Sequence, residues 1–137
     1  MKLLNEVTEI LNHYYLGVDV PDEYKNVYQY VNKHPEKEKE DFIHPLLDDD
    51  VLCKKYKENI PKGWYGFDIG TPTPINWVIA IDKILTLLIK NDKNLEIHQI
   101  KMKWGSICFY VESHIIEDID DIGFLISDEL SSKKMIY

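Results

Sequence analysis

The chain has 137 residues, of which 45% are apolar and 12% aromatic, so we expect residues 1–137 to form a single domain with its own core. Its 24 acidic residues outnumber its 16 basic residues, and the formal net charge of −8 argues against binding to nucleic acid. Every basic residue is a lysine, so the bidentate fork with which arginine holds phosphate or carboxylate is missing.

The chain lacks the patterns of secreted and membrane proteins. Cys53 and Cys108 form no Cys-x-x-Cys pair, which predicts neither a disulfide framework nor a zinc ribbon. Polar residues interrupt the first apolar stretch, unlike in a signal peptide. The most apolar stretch, 77–89, is shorter than the roughly 20 residues that span a bilayer. We therefore expect a cytoplasmic protein with no membrane partner.

Three helices are predicted in the first half of the chain. Apolar residues recur at spacings of three and four between Lys2 and Leu16, the period of an amphipathic helix. A second helix is predicted from Asp22, with acidic residues in its first turn, to the breaker Pro35. A third stretch follows Pro45 and runs to about residue 61, with residues 48–50 in either a helix or a loop.

A central helix is predicted after a loop. Glycine and proline concentrate between residues 60 and 74, which predicts a loop whose aromatic residues Trp64, Tyr65 and Phe67 pack on the domain. From Pro74 to Lys90 the polar residues fall in one arc about 120° wide, so the rest of the circumference of a helix predicted to run from Pro74 to Asn91 is expected to be buried.

A hairpin and a last helix are predicted in the final third. Within the stretch 95–103, apolar residues alternate with polar ones, and this alternation shifts by one position near His98. The shift predicts a strand with a bulge. A tight turn at 104–106 and an alternating strand follow. Gly105 is the residue expected to take a positive φ, and Trp104 beside it is expected to cover the end of the sheet. The last helix is predicted from about Ile115 to Ser131. The expected fold is α+β, with about five helices packed around a short antiparallel hairpin.

One stretch resembles a loose family of small bacterial and phage proteins. In that family a Gly-Trp loop precedes an apolar helix and a hairpin reading roughly Gln-Ile-Lys-x-Lys-aromatic-Gly-x-Leu-x-Phe-Tyr. The matching residues here are 63–64, 99–101, 103–105 and 109–110, and the chain departs from the pattern at Ile107 and Cys108. The resemblance implies a helix packed on a hairpin, and it implies no reaction.

No catalytic or cofactor motif is present. The five histidines show no metal-ligand spacing, and the glycines form no phosphate-binding loop. Ser113 is interpreted as the N-cap of the last helix. We accordingly expect no catalytic residues, no metal and no cofactor.

The last helix carries the clearest candidate surface. Its acidic residues face away from the predicted apolar stripe, no lysine lies between Ile115 and Ser132 to offset them, and an aromatic residue projects among them. Like charges at this spacing destabilise a helix, and an aromatic ringed by polar groups is typical of an interface anchor. The predicted partner-binding residues are Glu117, Asp118, Asp120, Asp121, Phe124, Asp128 and Glu129.

These features favour a small acidic inhibitor of a basic protein toxin. The most concrete case is an immunity protein that covers the substrate-binding surface of a nuclease, as in contact-dependent growth inhibition, because a nuclease must present cationic surface to phosphates. We expect a monomer or weak dimer. One alternative is a phage or mobile-element protein that counters host defence, and another is a small enzyme with a pocket near Trp64–Phe67, formed by that loop and Tyr110.

Overall fold

The computed structural model describes residues 1–14, 49–69, 73 and 75–131. Within these ranges the chain forms four α-helices, one short 3₁₀ helix and a three-stranded sheet, so the α+β class is confirmed. The helix predicted between Asp22 and Pro35 lies outside the described residues. In chain order the elements are α1 (Leu4–Tyr14), α2 (Asp49–Lys55), the 3₁₀ helix (Lys57–Asn59), β1 (Gly66–Asp68), α3 (Ile75–Asn91), β2 (Glu96–Lys103), β3 (Ser106–Glu112) and α4 (Ile119–Glu129).

Helix α3 is the centre of the core, as its sequence predicts. Ile79, Ile84 and Leu88 are fully buried, and α1 packs against the helix through its own apolar stripe. The polar arc is covered in part, because Asp82 is buried and accepts a 2.7 Å hydrogen bond from the Lys55 ammonium. This buried carboxylate has a cationic partner, as the cost of desolvating it requires.

The sheet is mixed, which corrects the expectation of a purely antiparallel hairpin. Strands β2 and β3 pair antiparallel, with the predicted bulge between Ile97 and Gln99. Strand β1 adds to the other side of β2 in parallel, within the segment predicted as a loop. Gly66 permits this strand, since its φ is +73° and a Cβ would lie 2.5 Å from the Ile60 Cδ1 atom.

Three aromatic residues differ from their predicted positions. Phe67 is buried on the domain as expected, whereas Trp64 and Tyr65 are exposed. Trp104 does not cover the end of the sheet but is 91% exposed at the hairpin tip. Both Trp104 and Gly105 have a positive φ there, which is the backbone that a two-residue hairpin turn with the twist of the strands requires.

Helix α4 lies against β3 and begins later than the sequence predicts. The Ser113 hydroxyl accepts hydrogen bonds from the backbone N–H groups of Ile115 and Ile116 and so forms a turn. The helix starts only after this turn, at Ile119. Ile115 is consequently exposed instead of belonging to the buried stripe. Gly123 allows close packing, because a Cβ there would lie 3.2 Å from the Phe109 carbonyl oxygen.

Candidate partner-binding face and groove

The seven predicted partner-binding residues divide into two groups. Glu117 and Asp118 precede α4 and do not lie on its helical face. The other five lie on the helix: Asp120, Asp121, Phe124, Asp128 and Glu129. Of these five, Glu129 is half-buried and the others are exposed.

Asp118 is part of the fold rather than of an exposed surface. Its side chain is 8% exposed, and its carboxylate accepts the Leu4 N–H at 2.9 Å and the Leu3 N–H at 3.1 Å. Leu4 is the first residue of α1 and Leu3 directly precedes it, and N–H groups at a helix N-terminus have no partner within the helix. Asp118 therefore caps α1 from a distant part of the chain, and Glu117 contributes nearby by pairing with the Met1 ammonium at 3.0 Å.

The acidic residues of α4 are not placed for helix stability alone. Asp120 and Asp121 lie in the first turn, where the helix dipole favours negative charge. Asp128 and Glu129 lie at the opposite end, where the same dipole disfavours it, and no basic residue lies in that last turn. The charge at the C-terminal end of α4 thus has an unfavourable interaction with the helix dipole.

Phe124 is the most exposed aromatic residue of this face. Its side chain is 74% exposed and lies one helical turn from Asp120 and Asp128. Leaving a phenylalanine in water forgoes about 2 kcal/mol of hydrophobic stabilisation that burial would give. A surface that buries Phe124 would recover this free energy.

A groove of about 710 Å³ runs between α4 and the hairpin. Its aromatic walls are Trp64, Tyr110 and Phe124, and two carboxylates, Glu112 and Asp120, line it as well. Half of the Trp64 side chain and half of the Tyr110 side chain remain exposed. Aromatic faces together with carboxylates form an environment that attracts a cationic side chain.

The Trp64 end of the groove contains an ordered side-chain cluster. The Trp64 and His98 rings stack with centroids 4.3 Å apart and planes 6° from parallel. The His98 Nε2 atom lies 3.4 Å from the Glu96 Oε1 atom and 3.9 Å from the Glu112 Oε2 atom. The hairpin register brings these groups together, because Glu96 and Glu112 are direct cross-strand partners.

Cys108 acts on the neighbouring phenol in the groove. Electrostatic repulsion from Cys108, with a smaller effect of a side-chain hydrogen bond to it, raises the pKa of Tyr110 above its ordinary value. A phenol with the ordinary tyrosine pKa of about 10 is already protonated at neutral pH, and the upward shift of the Tyr110 pKa does not change this. The Tyr110 hydroxyl lines the groove as a neutral group that both donates and accepts hydrogen bonds.

No family model, curated protein or solved structure matches the chain, so the family resemblance of the hairpin region stays a prediction. Among the helices of the described ranges, none has the length and apolar character needed to cross a membrane.

Sequence reasoning offered a pocket near Trp64 as one alternative but missed the wall that α4 contributes to the groove and the cluster at its end. The available signal was the pair Glu96 and His98, two polar residues two positions apart, a spacing that places side chains on one face of a strand. Glu112 could be added only with the strand register, which a bulge shifts by one residue. Trp64 could be added only with the parallel pairing of β1.

Proposed function

We propose that the protein is an acidic inhibitor that binds a cationic protein, most concretely an immunity protein that neutralises a nuclease toxin. The observation that carries the proposal is the 74% exposed Phe124 on a helix face whose other exposed residues include Asp120, Asp121 and Asp128. A buried aromatic anchor with a charged rim is the usual anatomy of a protein interface.

The groove beside Phe124 also favours a positively charged partner. Trp64 and Tyr110 offer π-faces, and Glu112 and Asp120 offer carboxylates, so a lysine or arginine of the partner gains both cation–π and ionic contacts there. The overall charge of −8 accelerates the encounter with a cationic surface through electrostatic steering. A nuclease must expose such a surface to bind phosphates.

The test measures binding kinetics against the purified product of the adjacent gene, since toxin and immunity genes are neighbours. Replacing Asp120, Asp121 and Asp128 by Asn should slow association and flatten its salt dependence, because rim charges act mainly through steering. Phe124→Ala should cost about 2 kcal/mol, roughly a thirtyfold weaker complex with faster dissociation.

A matched control removes the same charge elsewhere. Glu9→Gln, Asp50→Asn and Glu58→Gln change three exposed carboxylates that lie outside α4. This triple variant should retain most of the association rate, because steering depends on charge close to the interface. Equal kinetics for the parent, the Phe124→Ala variant and both triple variants would refute the assignment of this face. Binding only to a host defence protein would favour the phage accessory function.

A second candidate function follows from the groove itself. Trp64 and Tyr110 line one groove, as the hypothesis of a small enzyme requires of its pocket, whereas Phe67 is buried away in the core. A groove of about 710 Å³ falls in the range of small-molecule sites. An ordered small ligand seated between Trp64 and Tyr110, bound equally well by the Asn triple variant, would support this function over the inhibitor.

A further inference from the structure

We propose that Glu96, His98 and Glu112 form a zinc site at the Trp64 end of the groove. The three side chains supply one imidazole nitrogen and two carboxylate oxygens, and one ligand atom from each lies within 4.8 Å of the others. This donor set is one that Zn²⁺ binds in proteins. The inference does not rest on the inhibitor proposal: Glu112 is shared between them, but the zinc site is argued from its own geometry and its test uses no protein partner.

The spacing of the ligand atoms suits a metal ion. A tetrahedral ion about 2.0–2.1 Å from each ligand holds neighbouring ligand atoms about 3.3 Å apart. The His98 Nε2 atom lies 3.4 Å from the Glu96 oxygen and 3.9 Å from the Glu112 oxygen. The Glu112 oxygen would have to move about 0.6 Å closer to the His98 Nε2 atom, and the Glu112 side chain is 64% exposed.

The arrangement of charge also favours a cation at this position. Glu96 and Glu112 are directly opposite on neighbouring antiparallel strands, an arrangement in which like charges destabilise a sheet. In the described ranges, the basic side chain within ion-pair distance of these two carboxylates is His98 alone. A divalent ion would bind both carboxylates and leave the imidazole neutral, as coordination requires.

The histidine is held in place before any metal binds. Stacking on Trp64 with planes 6° from parallel fixes the imidazole orientation, and only 14% of the His98 side chain is exposed. Fixing a ligand in advance reduces the conformational entropy that binding must overcome. His98 and Glu112 also line the groove, so water or a groove ligand can complete the coordination of an ion with three protein ligands.

The experiment titrates Zn²⁺ into the full chain in competition with a chelating dye. Loss of an outer-sphere partner alone lowers metal affinity by roughly tenfold or more, so His98→Gln and Glu112→Gln should each weaken zinc binding by at least that factor. His13→Gln removes another exposed imidazole, on α1, and should leave the affinity unchanged. Equal zinc affinity in the parent and in His98→Gln would overturn the proposal.

A second measurement needs no variant and keeps the proposal testable if a substitution unfolds the chain. Mn²⁺ is paramagnetic and broadens NMR signals according to their distance from it, so substoichiometric Mn²⁺ should broaden the indole N–H signal of Trp64, which stacks on His98, more than that of Trp104 at the far tip of the hairpin. Added Zn²⁺ should restore the Trp64 signal by displacing Mn²⁺. Broadening of the Trp104 signal while the Trp64 signal stays sharp would place the ion elsewhere and refute the site.

Discussion

Replacing Asp118 by alanine should destabilise the protein far more than replacing its acidic neighbours. The carboxylate accepts the N–H groups of Leu3 and Leu4 at 2.9–3.2 Å, and both groups would lose their partner. A hydrogen bond to a charged group contributes about 1.5–3 kcal/mol, and loss of a helix cap costs about 0.5–2 kcal/mol. We expect Asp118→Ala to lower the free energy of unfolding by about 3 kcal/mol.

Urea unfolding followed by circular dichroism measures this loss. Asp118→Asn keeps one acceptor oxygen and should lose about 1 kcal/mol, whereas Asp121→Ala, at an exposed position, should change the free energy of unfolding by less than about 0.5 kcal/mol. Amide hydrogen exchange at Leu3 and Leu4 should accelerate in the Asp118 variants. A loss in Asp118→Ala no larger than that in Asp121→Ala would show that the carboxylate does not cap α1.

Two further predictions concern the core and the sheet. Ile84→Ala, in the fully buried centre of α3, should lower the free energy of unfolding by about 2–5 kcal/mol, and an unchanged denaturation midpoint would contradict the position of the core. Gly66→Ala should cost more than Gly63→Ala, since both have a positive φ but only the Gly66 Cβ would meet Ile60, at 2.5 Å. Equal unfolding midpoints for these two variants would show that the Ile60 side chain can move aside without loss of stability.

The elements that could be predicted are those whose sequence pattern reflects burial directly. Helix α3 has a narrow polar arc, and in β2 the alternation of apolar residues shifts at the bulge. Each element could therefore be predicted from its own sequence, without knowing which elements pack against it. Strand β1 is only three residues long, which is too short for alternation to be recognised. Its structure depends on pairing with β2, a contact between segments that are far apart in sequence.

The candidate surface was predictable in outline and not residue by residue. Composition identifies residues 117–129 as acidic. Because Asp118, Asp120 and Asp121 are all aspartates, residue type alone cannot tell the buried one from the two exposed ones. The distinction depends on where α4 begins, and the Ser113 turn delays that start to Ile119. Residues 115–118 therefore precede α4 instead of forming its first turn. As a result, Asp118 caps α1 and does not lie on the predicted exposed face.

The cap on α1 also constrains the order in which the protein can fold during synthesis. Asp118 and Leu3 are 115 positions apart, so at a translation rate of about 5–20 residues per second the ribosome needs roughly 6–23 s between them. An isolated helix of 11 residues is marginal in water. The apolar stripe of α1 consequently stays available to chaperones on the nascent chain until α3 emerges to pack against it, and the Asp118 cap at the N-terminal end of α1 forms among the last steps of folding.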